Sequence, residues 1–151
     1  MIEQQIIGES RTNCILSGDL GHPPGLRYDR AIRVEDPTLL RLTANGLHVS
    51  TGRQVFHSME IINVGCPRCG AEQLWNRVEE SVDEWDSGGS GIRTCGSCGA
   101  ECALNDWQWD APWGFGWLGF TFWNWAPLTG EFVAEVAELL GHRAVVPCGK
   151  I

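Results

Sequence analysis

Two short cysteine motifs constrain this chain more than any other feature. Cys66-Pro67-Arg68-Cys69-Gly70 and Cys95-Gly96-Ser97-Cys98-Gly99 share the pattern C-x-x-C-G, with 25 residues between the pairs. Two intervening residues let both sulfurs of a pair turn toward one ion while backbone N–H groups donate to the thiolates. Glycine after the second cysteine permits the tight turn that follows. Two such turns facing each other supply four thiolates and leave no coordination position open for a substrate. Cys66, Cys69, Cys95 and Cys98 are therefore the expected ligands of one Zn2+ ion in a structural role, although four thiolates also suit iron.

Each motif resembles the turn called a zinc knuckle, and residues 64–104 together resemble a zinc ribbon, a rubredoxin-like module. The resemblance implies two facing hairpins with the metal between their tips. The separation of the pairs is somewhat longer than the common range, and the Gly-rich stretch Ser87-Gly88-Gly89-Ser90-Gly91 is expected to absorb the excess as a flexible tip. Neither motif opens a helix in a βαβ context, which argues against a thioredoxin-like dithiol. Cys102 stands by as a spare ligand, and Cys14 and Cys148 read as buried small hydrophobes.

The chain has 151 residues, and 43% of them are apolar, enough to pack a core. We expect one α+β domain over 1–151, a small mixed or antiparallel sheet with two helices, and the ribbon inserted at 64–104. No basic region followed by an apolar run opens the chain, and no stretch approaches the roughly 20 apolar residues of a membrane span. Free thiols suit a reducing compartment, so the expectation is a cytoplasmic protein with no membrane partner.

Several elements can be placed by pattern. Arg27 to Val34 reads as a first strand. Asp36-Pro37 reads as a helix start, with Leu39, Leu40, Leu42 and Leu47 apolar and Asn45-Gly46 as the stop. Leu47–Ser50 and Gln54–Ser58, joined at Thr51-Gly52, read as a hairpin, and Met59–Val64 continues extended. Glu72 to Asp86 could be helix or strand. Residues 107–125 hold nine aromatics, and alternation at both ends predicts two strands around a Pro/Gly loop. Thr129 caps a helix over Gly130–Leu140, Gly141 ends it, and Arg143–Val146 reads as a final strand. Glu131, Glu135 and Glu138 fall on its solvent side.

Function classes follow from charge and from motifs that are missing. The net charge is -8, and residues 66–110 carry most of it, with nine acids against three bases. A ribbon that grips phosphates needs Lys and Arg. This one carries Glu79, Glu80, Asp83, Glu84 and Asp86, so no nucleic-acid partner is expected. Gly114 to Gly119 spells G-x-G-x-x-G but lacks the βαβ context of a dinucleotide site. His48, His57 and His142, with Glu60 or Cys148, share no spacing that would mark an acid–base site.

Aromatics bury large areas, so most of the nine are expected in the core. Those near 111–117, Trp113, Phe115 and Trp117, are expected to stay partly exposed as anchors. A small acidic chain without catalytic motifs resembles, in general character, the immunity and inhibitor proteins that mask basic toxins. The expectation is a non-catalytic binding module for a basic protein partner. The alternatives are a small-molecule enzyme with a purely structural zinc and a regulatory nucleic-acid-binding ribbon.

Overall fold

The computed structural model describes residues 1–33, 38–57 and 63–149. The fold is α+β, and the chain forms two units, residues 1–50 with 119–144 and residues 51–118 with 145–151. Strand β1 (Gly46–His57) pairs with β7 (Trp113–Trp123), and each unit takes part of both strands.

The second unit is built from short antiparallel pieces. Strand β2 (Asn63–Gly65) lies between β3 (Glu72–Leu74) and β6 (Gln108–Trp109), while β4 (Ile92–Thr94) pairs with β5 (Glu101–Ala103). Strands this short are weak alone, and a common core fixes them. Val64, Val78, Leu104, Trp107, Trp113 and Phe115 are buried together with Cys66, Cys95 and Cys102. Each fully buried aliphatic there contributes about 1.5–3 kcal/mol.

Helix α1 (Glu79–Asp86) settles the ambiguous stretch 72–86, which divides into strand, one turn of 3-10 helix and this α-helix. Eight residues are too few for a helix to hold itself in water. Val78 and Val82 are buried and Trp85 half-buried, an i, i+4, i+7 stripe against the core. Arg53 then secures the C-terminal end by donating to Trp85 O at 2.6 Å and Gly89 O at 2.7 Å. A cation beside the last carbonyls also opposes the helix dipole favourably.

Residues 87–91, expected as a flexible tip, form a defined helix stop. Gly89 N donates to Glu84 O at 2.7 Å across Gly88, whose φ is 103°. Gly91 has φ 69°, and a Cβ there would lie 2.7 Å from the Trp85 ring.

The first unit has little regular structure. Isolated bridges join Ile7 to Pro24, Thr12 to Gly21, His22 to Leu47 and Ile32 to Leu128. Helix α2 (Gly130–Leu140) is as read from the sequence, with Thr129 Oγ1 accepting from Phe132 N at 3.1 Å and Gly141 left-handed at φ 66°. Phe132 packs with Ile6, Ile7, Ala31 and Leu47. Asn45 is buried and donates to Leu39 O at 2.8 Å and Asn124 O at 3.0 Å, while Asn124 donates to Ala44 O at 2.6 Å.

Four expectations are corrected. The strand expected at 27–34 is a 3-10 turn over Tyr28–Ala31, held by the bonds from Arg30 N to Arg27 O at 3.2 Å and from Ile32 N to Asp29 O at 3.4 Å. The helix expected after Asp36-Pro37 is a single 3-10 turn, Leu39–Arg41; its proposed cap lies outside the described residues, as do Glu60 and most of Met59–Val64. The hairpin around Thr51-Gly52 is one continuous strand, with Gly52 at φ 93° inside β1. Arg143–Val146 forms no strand. At Thr51-Gly52 the local pattern matched more than one conformation, and pairing with β7 chose between them, whereas the two 3-10 turns are closed by local bonds.

Candidate metal centre

The two cysteine motifs form the same turn twice. In the first, Gly70 N donates to Cys66 O at 2.9 Å, Cys66 N to Ala71 O at 3.0 Å and Arg68 N to Cys66 Sγ at 3.4 Å. In the second, Gly99 N donates to Cys95 O at 2.9 Å, Cys95 N to Ala100 O at 2.8 Å and Ser97 N to Cys95 Sγ at 3.4 Å. Gly70 and Gly99 have φ of 72° and 73°. An L side chain in that left-handed region costs about 1–2 kcal/mol, which explains glycine at both positions.

The likeness extends beyond the turns. Strands β2 and β3 flank the first turn in the register Gly65 to Glu72, and β4 and β5 flank the second in the register Thr94 to Glu101. A 3-10 turn follows each, Trp75–Arg77 and Leu104–Asp106. Sequence follows structure, since Cys69-Gly70-Ala71-Glu72 and Cys98-Gly99-Ala100-Glu101 are identical and Asn76 matches Asn105. A self-comparison of the sequence at this offset would have found the repeat, which pattern reading missed.

All four sulfurs lie within 4.8 Å of one another, and this is the sole cluster of metal-ligating groups among the described residues. Cys66 Sγ and Cys98 Sγ are 3.9 Å apart, and Cys69 Sγ and Cys95 Sγ 3.8 Å. A tetrahedron with metal–sulfur bonds of about 2.3 Å has edges of about 3.8 Å, so the two cross-turn edges already match. The first cysteine of each pair is buried and the second exposed. The group can bind a metal ion and is compatible with a zinc-ribbon-like site.

The sulfurs differ in proton affinity. Backbone N–H groups of Cys98 and Ser97 hold the Cys95 thiol down to about 6. At Cys69 the Ala71 N–H also favours thiolate, but the facing Cys98 thiol, desolvation and the other two sulfurs outweigh it and push Cys69 up to about 12. Thiols this close share protons, and a bound cation would displace them.

Two further side chains, Gln73 and Arg93, support the site without being legible as such in the sequence. Gln73 Nε2 donates to Cys95 Sγ at 3.7 Å. Arg93 donates to Gln73 Oε1 at 2.6 Å and to Ser81 Oγ at 2.8 Å, with its guanidinium 5.4 Å from the centre of the Trp107 ring. Burial lowers the Arg93 pKa, against the pull of Cys95 and Glu80. A cation held this near offsets the negative charge that four thiolates would retain around a divalent ion.

The remaining candidates scatter. Glu79, Glu80, Asp83, Glu84 and Asp86 are all exposed, on α1. Trp113 and Phe115 are 9% and 6% exposed and belong to the core, so among the three expected anchors Trp117 alone, at 62%, offers surface. Trp113 is covered by Trp109, stacked at 5.2 Å, and by His57 at 4.6 Å. The Pro/Gly loop is shorter than expected because β7 begins at Trp113. Cys102 is core rather than ligand, Cys14 is buried as expected, and Cys148 is exposed. His48 faces Asp19, and His142 is exposed beyond α2. Among the described residues no helix is long and apolar enough to cross a membrane. Comparison of the chain with protein-family models, curated proteins and solved structures gave no match.

Proposed function

We propose that Cys66, Cys69, Cys95 and Cys98 hold one zinc ion as a structural clamp, and that the folded chain is a non-catalytic module that masks a basic protein partner, in the manner of an immunity or inhibitor protein. The observation that carries the zinc reading is the pair of like turns whose sulfurs meet in two cross-turn pairs at tetrahedral edge length. All four ligands are protein thiolates, so no position is left for substrate chemistry. Elemental analysis of purified protein tests this, with one zinc per chain expected. Stoichiometric iron would replace the zinc assignment, and no bound metal would remove it.

The partner reading is supported by one surface. Five exposed carboxylates lie on α1, whose inward Trp85 meets the exposed Trp117 edge-on at 6.4 Å. Arg53 contacts both rings, 4.2 Å from the centre of Trp85 and 5.1 Å from that of Trp117, and so holds Trp117 beside the acidic helix. Acidic charge speeds encounter with a basic protein, and a pre-positioned indole can anchor it. Parallel affinity capture with the native chain and with a variant carrying E79K, E80K, D83K and E84K tests the reading. A basic protein should be retained by the native chain and lost by the variant, with metal content unchanged. Equal retention by both chains would take this surface out of the interface.

A further inference from the structure

We propose that a cavity in the first unit binds a small organic oxyanion, a carboxylate or phosphate carried on a compact apolar group. The cavity is an open groove of about 390 Å³ lined by Arg11, Asp19, Leu20, His22, Leu47, His48 and Val49, of which Arg11, Asp19, Leu20 and Val49 are exposed. Its volume falls within the ordinary range for small-molecule sites. Three segments distant in sequence build it. The bridge from Thr12 to Gly21 sets Arg11 beside His22, and the bridge from His22 to Leu47 brings in 47–49. Both bridges are closed by paired backbone bonds, 2.8 and 2.9 Å for the first and 2.9 and 2.8 Å for the second. Gly21 makes the approach possible, because a Cβ there would lie 2.5 Å from Ile15 Cγ2 and 3.0 Å from Leu47 O.

The lining groups point to an anion. His22 Nδ1 lies 2.9 Å from Gly8 O. A carbonyl only accepts, so Nδ1 carries the proton and Nε2 is the free ring atom, which becomes a donor when the ring is charged. His48 Nε2 is 3.7 Å from Asp19 Oδ2, a carboxylate that also accepts from Ser17 Oγ at 3.4 Å. Arg11 is exposed and its guanidinium has no partner among the described residues. At this site the Arg11 guanidinium is left without a partner among the described residues while the Asp19 carboxylate is engaged by His48 and Ser17, and the two imidazoles add positive charge only when protonated. A guanidinium fork matches a carboxylate or phosphate in two hydrogen bonds. Leu20, Leu47 and Val49 supply an apolar wall for the group carrying the anion. Asp19 keeps His48 aligned and disfavours a second negative charge on the ligand's far end. A metal is not the fit here, since Asp19, His22 and His48 do not bring their ligand atoms together as the four cysteines do.

Titration of the whole protein with benzoate and phenyl phosphate, followed by NMR of the histidine ring protons, tests the site. Both probes should shift His22 and His48 with a dissociation constant of about 1 mM or tighter. Inorganic phosphate, lacking the apolar part, should bind at least about tenfold more weakly. R11A should weaken benzoate binding at least about tenfold, and R11K by less, because Lys keeps the charge and loses the fork. Benzyl alcohol or benzylammonium binding as well as benzoate would overturn the proposal, as would benzoate leaving both rings unshifted. These comparisons use the native chain and stand even if R11A does not fold. Undiminished affinity in a folded R11A would equally overturn it.

Discussion

The two units of this protein are organised in opposite ways. In the second, one local design is used twice. Each turn places two sulfurs, one left-handed glycine and a short antiparallel pair in the same register, and the same backbone bonds recur. In the first, four isolated bridges join segments up to 96 positions apart, as from Ile32 to Leu128. The difference is where the ordering entropy is recovered. A knuckle orders a handful of residues and leaves only the meeting of the turns to be closed, whereas each isolated bridge depends on others before it is favourable. The second unit brings its two like turns to one centre, and the first is joined by scattered bridges.

Metal removal is the strongest way to break the comparison. Chelation, or C95S, should unfold the second unit, since apparent zinc contributions to small folded modules reach about 10 kcal/mol or more. Signals from α2 should persist if the first unit stands on its own contacts. Simultaneous loss of Trp107 burial and α2 helicity, followed by fluorescence and circular dichroism, would show one cooperative system instead. Acid should act in the same direction as chelator, because thiolates must be deprotonated to ligate.

The corresponding blow to the first unit is N45A. It strips hydrogen bonds from the carbonyls of Leu39 and Asn124 at a buried position, at a cost of about 3 kcal/mol. Denaturant midpoints should fall for the first unit while metal content stays unchanged.

Smaller changes sharpen the contrast. Q73L removes the donor to Cys95 and the acceptor for Arg93, and should weaken zinc 10- to 100-fold in competition with a chromophoric chelator. G70A and G99A should each cost about 1–2 kcal/mol, and by nearly equal amounts, because the two turns are equivalent. Unequal costs would show that the likeness is geometric and not energetic. W117A should change stability by about 0.5 kcal/mol or less, since the ring is largely exposed, while reducing any affinity that depends on the acidic surface.

Legibility in the sequence tracks the same division. The four clustered cysteines were readable because C-x-x-C-G specifies a turn within five residues. Helix α2 was readable because its cap, apolar face and terminal glycine all lie within the helix and its ends. Where the deciding contact was distant, reading failed. Thr51-Gly52 has the composition of a hairpin turn, yet β1 runs on through it as one strand paired with β7. Asn45-Gly46 has the composition of a helix stop, yet Asn45 is a buried bracket between Leu39 and Asn124. Trp113 and Phe115 lie near a Pro/Gly run that suggested exposure, and stacking on Trp109 and packing around Trp85 buried them.

The sequence by itself determined the two cysteine turns, the acidic charge of the intervening segment and the last helix, because each depends on residues within one or two turns of each other. Only the tertiary structure decided that Gln73 and Arg93 brace Cys95, that Trp117 stands out beside α1 while its neighbours sink, and that Arg11, His22 and His48 meet at one cavity. These groups are separated by many residues and share no period or motif, so their meeting is fixed by chain closure and packing rather than by anything local.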